Sequence, residues 1–180
     1  MDTVAWPLDF TCVVVDDHSI MPNHYSLGLV IEPQGSITDN IGLGFKKLRY
    51  FVNESLSNSL FINRASLFRE CLTQSENNMV LLPCEPLDYY VGCILLRKFL
   101  TITQEYFDIT EINIDSAIGD RVLYNIQDPT ECRIELGNDW WDIDDASTGS
   151  KITKSWEELN LIPYPNWKPT IIKGGLSGHR

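Results

Sequence analysis

Apolar positions along this chain switch between two periods. Phe10 to Asp16 reads Phe-Thr-Cys-Val-Val-Val-Asp, a β-branched apolar run ending on polar residues, and it predicts a buried strand. Tyr25 to Glu32 (Tyr-Ser-Leu-Gly-Leu-Val-Ile-Glu) predicts a second strand. Pro22 and Asn23 lie between the runs and suit a loop, so a hairpin with a connection longer than a tight turn is expected. The period then changes. Ile41, Phe45, Leu48, Val52 and Leu56 recur at spacings of three and four, the apolar stripe of a helix, with Lys46, Lys47, Arg49, Asn53 and Glu54 left for other faces. Thr38 or Asp39 suits its N-cap, because either side-chain oxygen can accept a free amide hydrogen of the first turn. Gly42 and Gly44 weaken its start.

Further along, Leu60 to Asn63 and Met79 to Leu82 read as short strands, and Ala65 to Leu72 as a short helix. Pro83-Cys84-Glu85-Pro86 marks a turn. Val91, Leu95, Phe99, Ile102 and Tyr106 follow at helical spacing, and Cys93, Leu96 and Leu100 make the opposite side apolar too. That pattern predicts a helix buried over most of its circumference at the centre of the core. Asp88 near its start complements the helix dipole. Glu111 to Asp115 alternates polar and apolar as a half-exposed strand does, and Arg121 to Gln127 reads as its hairpin partner across Gly119-Asp120. Cys132 to Leu136 reads as one more strand, and Ser155-Trp156-Glu157-Glu158 has capping-box form before a short helix. The expected fold class is α+β: a mixed or mainly antiparallel sheet packed against two main helices, at about 39–56 and 87–106. Residues 1–162 form one domain in this reading. Residues 163–180 form an extended tail, because Pro163, Pro165 and Pro169 forbid a continuous helix.

Composition narrows the class. The chain has 180 residues, 43% of them apolar and 22% charged, enough to bury a core without a metal or disulfide staple. No apolar stretch approaches the roughly 20 residues that cross a bilayer. The first residues, Met-Asp-Thr-Val-Ala-Trp-Pro, lack a basic n-region, so no secretory signal is expected. Five cysteines, Cys12, Cys71, Cys84, Cys93 and Cys132, form no Cys-x-x-Cys pair, which argues against a zinc ribbon and for reduced thiols in a cytoplasmic setting.

Charge changes the picture more. Of the formal net charge of −11, residues 107–149 hold 2 basic and 11 acidic side chains, a net of −9, whereas residues 150–180 hold 5 basic and 2 acidic, a net of +3. Such a field repels phosphate backbones, so direct nucleic-acid binding is disfavoured and a protein partner with a basic surface is expected.

Three segments carry candidate chemistry. Asp16, Asp17 and His18 follow a strand end and His24 comes six residues later; carboxylates and neutral imidazoles can hold a divalent ion and lower the pKa of its water, the basis of a small metal-dependent hydrolase. No His-x-x-x-His, His-x-Asp or helical Glu-x-x-His spacing accompanies them, and a polar hairpin loop explains the same residues. Cys84 and Glu85 precede a helix, whose N-terminus can activate a thiol, but no histidine base is near in sequence. Asp139, Trp140, Trp141, Asp142, Asp144 and Asp145 form the most unusual segment. An EF-hand fails there, because the sixth position from Asp142 is Ser147 rather than glycine. Adjacent tryptophans point to different sides of any strand or helix, so one inward and one exposed, with a carboxylate rim, would grip a basic partner; a tryptophan-anchored loop with solvated charges is the plain alternative. Gly174-Gly175-Leu176-Ser177-Gly178 lacks the Gly-Lys-Ser/Thr end of a phosphate-binding loop.

The run Leu82 to Asp88, the apolar helix after it, Gly119 to Tyr124, and upstream Asn40-Ile41 to Asn58-Ser59 together resemble small uncharacterised accessory proteins of tailed bacteriophages. That resemblance implies a bacterial host cytoplasm and supplies no activity. The expected function is therefore a non-enzymatic protein–protein interaction module without a cofactor, a phage accessory or inhibitor protein whose acidic, tryptophan-bearing face binds a basic partner; a DNA mimic is its sharper form. A structural component of a virion or complex, docking through residues 163–180, and the hydrolase built on Asp16, Asp17, His18 and His24 are the alternatives.

Overall fold

The computed structural model describes residues 4–33, 39–72 and 78–128, the side chains of Pro33, Asp39 and Asn40 excepted. The predicted strand at Tyr25–Glu32 and its partner both extend: β1 covers Val4–Val15 and β2 Ile20–Pro33, paired antiparallel from Val4 opposite Ile31 to Val15 opposite Ile20. Only Asp16 to Ser19 remain between them. Pro22 and Asn23, expected in a loop, lie inside β2. Its partner on the other side, β5, begins pairing only at Tyr25, so Pro22 stands where that edge of β2 is free and a missing N–H costs no ladder bond.

Helix α1 (Asp39–Phe51) carries the expected stripe and continues into a π-helical turn over Val52–Leu56. Phe45 packs on Phe107 at 4.9 Å and edge-on to Trp6 at 4.5 Å, which lays the helix against the sheet. Asn58, at a φ of 58°, turns the chain out of the π turn; asparagine tolerates that left-handed backbone better than most residues. Strands β3 (Leu60–Asn63) and β4 (Met79–Leu82) have the predicted bounds. The short helix expected over Ala65–Leu72 shrinks to α2, Arg69–Leu72, because Asn63, Ser66 and their side chains tie the preceding backbone into turns. Helix α3 (Asp88–Thr103) is followed by β5 (Phe107–Ser116) and β6 (Tyr124–Ile126), shorter than the Arg121–Gln127 expected. The turn before it absorbs Asp120 and Arg121, at φ values of 53° and 60°.

Among the described residues six strands make one mixed sheet in the order β4-β3-β1-β2-β5-β6. Strand β1 is parallel to β3, and β3 to β4; the other neighbours are antiparallel. The architecture is α+β with two main helices, as the periodicities imply. Period-two alternation puts Leu8, Phe10, Cys12 and Val14 of β1 with Tyr25, Leu27, Leu29 and Ile31 of β2 in the core. Asp9, Thr11, His24 and Ser26 stand on the outer, wetter face. Phe10, Tyr25 and Phe61 form a ring cluster with centroids 5.2 to 6.0 Å apart. Helix α3 fills the centre as predicted: Val91, Cys93, Ile94, Leu95, Leu96 and Phe99 are all buried. Gly92 permits its close approach to the sheet, since a Cβ there would meet Ile126 Cδ1 at 2.5 Å and Ile114 Cγ2 at 2.7 Å. Among the described residues no helix is long and apolar enough to cross a membrane.

Candidate functional site

Parallel pairing decides where the polar loops gather. Because β1, β3 and β4 run the same way, their carboxyl ends at Val15, Asn63 and Leu82 lie on one side of the sheet. In sheets with parallel strands that side is where ligands tend to bind. Here it collects the hairpin tip Asp16–Ser19 after β1, the Arg64–Ser66 turn after β3, and the Pro83–Leu87 segment after β4, which leads into α3. These segments are tied together: Ser66 Oγ donates to Asp17 Oδ1 at 3.4 Å, and Asn63 Nδ2 donates to Glu85 Oε1 at 2.6 Å.

A cleft of about 340 Å³ opens among them. Its apolar wall is Val14, Met21, Pro86, Leu87 and Ile118, and its polar wall is Asp16, Asp17, His18 and Glu85. Leu87 is 59% exposed, and Met21 and Ile118 are each 37% exposed, although all three are large apolar side chains. Apolar surface grouped around a concavity marks a binding site more often than scattered exposed leucines do.

The acidic wall is preorganised. Asp16 Oδ1 accepts the backbone N–H groups of His18 at 2.7 Å and Ser19 at 2.6 Å, while Oδ2 accepts the Ser19 hydroxyl at 2.9 Å. Those bonds, led by the His18 amide, hold the Asp16 carboxyl below its ordinary range, so it is ionised at neutral pH. Among the described residues no lysine or arginine lines the cleft. The site thus pairs three carboxyl side chains with an apolar floor.

Behind the cleft, a polar network fixes the walls against each other. Ser116, fully buried, donates its hydroxyl to the Asp88 carboxylate at 2.8 Å and accepts the Gly119 N–H at 3.0 Å. Asn23 Oδ1 accepts the Ile118 N–H at 3.0 Å and the His24 N–H at 2.9 Å. The first turn of α3, which Leu87 immediately precedes, is thereby locked to the turn carrying Ile118. Deeper in, the Cys12 thiol is pushed up to about 12 by burial and by the Asp88 charge, and burial also lifts the Tyr25 hydroxyl far above its ordinary value. The Asn23 and Asp88 side chains stand near the Tyr25 hydroxyl, but among the described residues none meets it in hydrogen-bonding geometry.

Of the residues singled out as metal ligands, Asp16, Asp17 and His18 reach the cleft together, but His24 does not. Residue alternation along β2 sends its side chain to the outer face, where Nε2 lies 3.5 Å from Asp9 Oδ1. The four therefore do not converge, and among the described residues no three His, Cys, Asp or Glu side chains are placed to hold a metal ion. Cys84 is half-buried beside the cleft and Glu85 lines it. Met21, Leu87 and Ile118 escaped the sequence reading; Leu87 and Ile118 leave one local signal, an apolar residue next to Pro86 or Gly119, whereas Met21 lies in β2 and leaves none. Asp139, Trp140, Trp141, Asp142, Asp144 and Asp145 lie outside the described residues, as does the tail 163–180.

Neither a family model nor a curated protein matches the sequence. Among solved structures, the chain is similar to an uncharacterised protein, WS1659, from Wolinella succinogenes, at a TM-score of 0.53 and 11% identity over 70% of this chain and 97% of that one. That likeness speaks for the fold alone. Two structures of 6-pyruvoyltetrahydropterin synthase from Plasmodium vivax, one a catalytic-residue mutant, align over 70% of this chain and 98% of theirs at 11% identity, with TM-scores of 0.40 and 0.39. Scores that low carry no argument about activity.

Proposed function

We propose that this chain is a non-enzymatic protein-interaction module, and that the cleft at the carboxyl ends of β1, β3 and β4 takes a basic segment of a partner. The observation that supports this most is the make-up of the cleft: carboxyl groups of Asp16, Asp17 and Glu85 facing exposed Met21, Leu87 and Ile118, with His18 beside them and no lysine or arginine among the described lining residues. A lysine or arginine flanked by an apolar residue satisfies both walls, since its aliphatic stem packs on the apolar one while its head meets the carboxylates. The acidic stretch 107–149 serves the same function at longer range, steering a basic partner to the chain by its field. The phage accessory or inhibitor role belongs to this reading as its biological setting.

Titration of the isotopically labelled full chain with an amphipathic lysine-containing peptide, followed by amide chemical shifts, tests it. The reading expects shifts confined to Val14–Met21, Glu85–Tyr89 and Ala117–Gly119. Shifts confined to the outer face, around Asp9, Glu111 and Asn113, would contradict it.

A further inference from the structure

The sequence itself contains a segment of the chemistry that this cleft fits. Lys151-Ile152-Thr153-Lys154-Ser155-Trp156 alternates two cations with two apolar residues. It stands in the basic stretch of the chain, net +3 over residues 150–180, whereas residues 1–149 have a net charge of −14. We propose that residues 151–156 of the chain occupy its own cleft, because their two lysines match its carboxyl groups and their two apolar residues match the exposed Met21, Leu87 and Ile118. The segment then acts as an intrasteric competitor that a basic partner must displace. This inference rests on the cleft being a site for basic segments.

Reach does not limit it. Residues 129–150, between the last described residue and the segment, number 22 and span up to roughly 70 Å when extended at about 3.3 Å each. The cleft is closer than that. Ile126 pairs with Ile112, and Ile118 stands six residues further along the chain, on the order of 20 Å away at strand spacing. Tethering also multiplies a weak preference. Covalent attachment raises the effective concentration of a segment, to the order of millimolar at best, so even a site of modest affinity can be filled without any partner. Charge sets the selectivity, because the carboxylates that admit Lys151 and Lys154 repel the chain's many acidic segments.

Two measurements on the full chain test the proposal. In the first, a water-soluble carbodiimide couples carboxylates to amines that touch them, and peptide mapping of the monomer locates the bonds. Intrachain links from Lys151 or Lys154 to Asp16, Asp17 or Glu85 are expected. Links from these lysines only to Asp139, Asp142, Asp144 or Asp145, or to Glu111 and Asp115, would overturn the proposal. In the second, fluorescence anisotropy follows a fluorescein-labelled Lys-Ile-Thr-Lys-Ser-Trp peptide binding to the full chain and to its Lys151→Gln/Lys154→Gln variant. The variant is expected to bind about tenfold more tightly, because its competitor is disarmed. Equal affinity would leave the cleft as a binding site and remove the tail as its occupant. No binding to either chain would remove the cleft reading and this inference together.

Discussion

The Ser116 hydroxyl and the Asp88 carboxylate, 2.8 Å apart, join the end of β5 to the start of α3. This contact decides the shape of the cleft, because Leu87 precedes Asp88 and Ile118 follows Ser116 by two residues. It also places a negative charge in the first turn of α3, where the helix dipole favours it. Ser116 is fully buried, so replacing it leaves part of the Asp88 carboxylate without its donor. We expect Ser116→Ala to lower unfolding free energy by about 1–3 kcal/mol in urea titrations and to weaken peptide binding as the walls of the cleft separate. Unchanged stability would mean that water replaces the hydroxyl fully.

Gly119 belongs to the same contact. A Cβ at this position would lie 2.0 Å from Asp88 Oδ2 and 3.2 Å from Ser116 Oγ. Gly119→Ala must push the carboxylate aside and lose its bond to Ser116. The expected cost matches that of Ser116→Ala, and the double variant should cost little more than either alone, since both remove one interaction. Additive losses in the double-mutant cycle would show that the two residues act independently.

Gly92 tests the packing of α3. Alanine stabilises an exposed helix interior by about 1 kcal/mol over glycine. Here its methyl would collide with Ile126 and Ile114, and overpacking a core costs about 1–3 kcal/mol. The collision should win, so Gly92→Ala is expected to destabilise the chain in denaturant titrations. A stabilised variant would show that α3 stands further from β5 and β6.

Asp16 gives a pH dependence of known sign. Its folded pKa is depressed by the His18 and Ser19 donors, so its contribution to stability is present above the ordinary carboxyl value of 3.8 and is lost as pH falls through the folded value. Carbon-detected titration of the Asp16 carboxyl should place its midpoint below 3.8, and Asp16→Asn should flatten the acid limb of stability. A midpoint above 3.8 would contradict the hairpin geometry.

Cys12 supplies the opposite limb. Its thiol is raised from 9.0 to about 12, so its contribution is complete below pH 9 and is lost as pH rises toward 12. At pH 8 an alkylating reagent should modify exposed Cys71 well before buried Cys12 and Cys93, which react only once the chain opens. Early labelling of Cys12 would place it outside the core.

Local chemistry made much of this fold legible and left the site half hidden. The β-branched run before Asp16 and the two-sided apolar pattern of Val91 to Phe99 each have one good structural solution, and β3 and β4 have the predicted bounds. Pro22 misled because its tolerance depends on which neighbour β2 lacks, a fact of topology. At the site, Asp16, Asp17 and His18 stood out by type and do line one cleft. Their apparent partner His24 was separated by strand alternation, and their real neighbours, Glu85, Leu87 and Ile118, come from 67 or more residues away. Only the parallel crossovers from β1 to β3 and β4, and the pairing of β5 with β2, bring them together.

The measurement that tests the central claim most directly is the affinity of an amphipathic lysine peptide for the full chain, by calorimetry at low and high salt, beside Asp17→Asn/Glu85→Gln. The account predicts binding that weakens steeply with salt in the unmodified chain. In the variant it predicts binding at least several-fold weaker, with most of the salt dependence gone. Equal affinity and equal salt dependence in the two chains would contradict it.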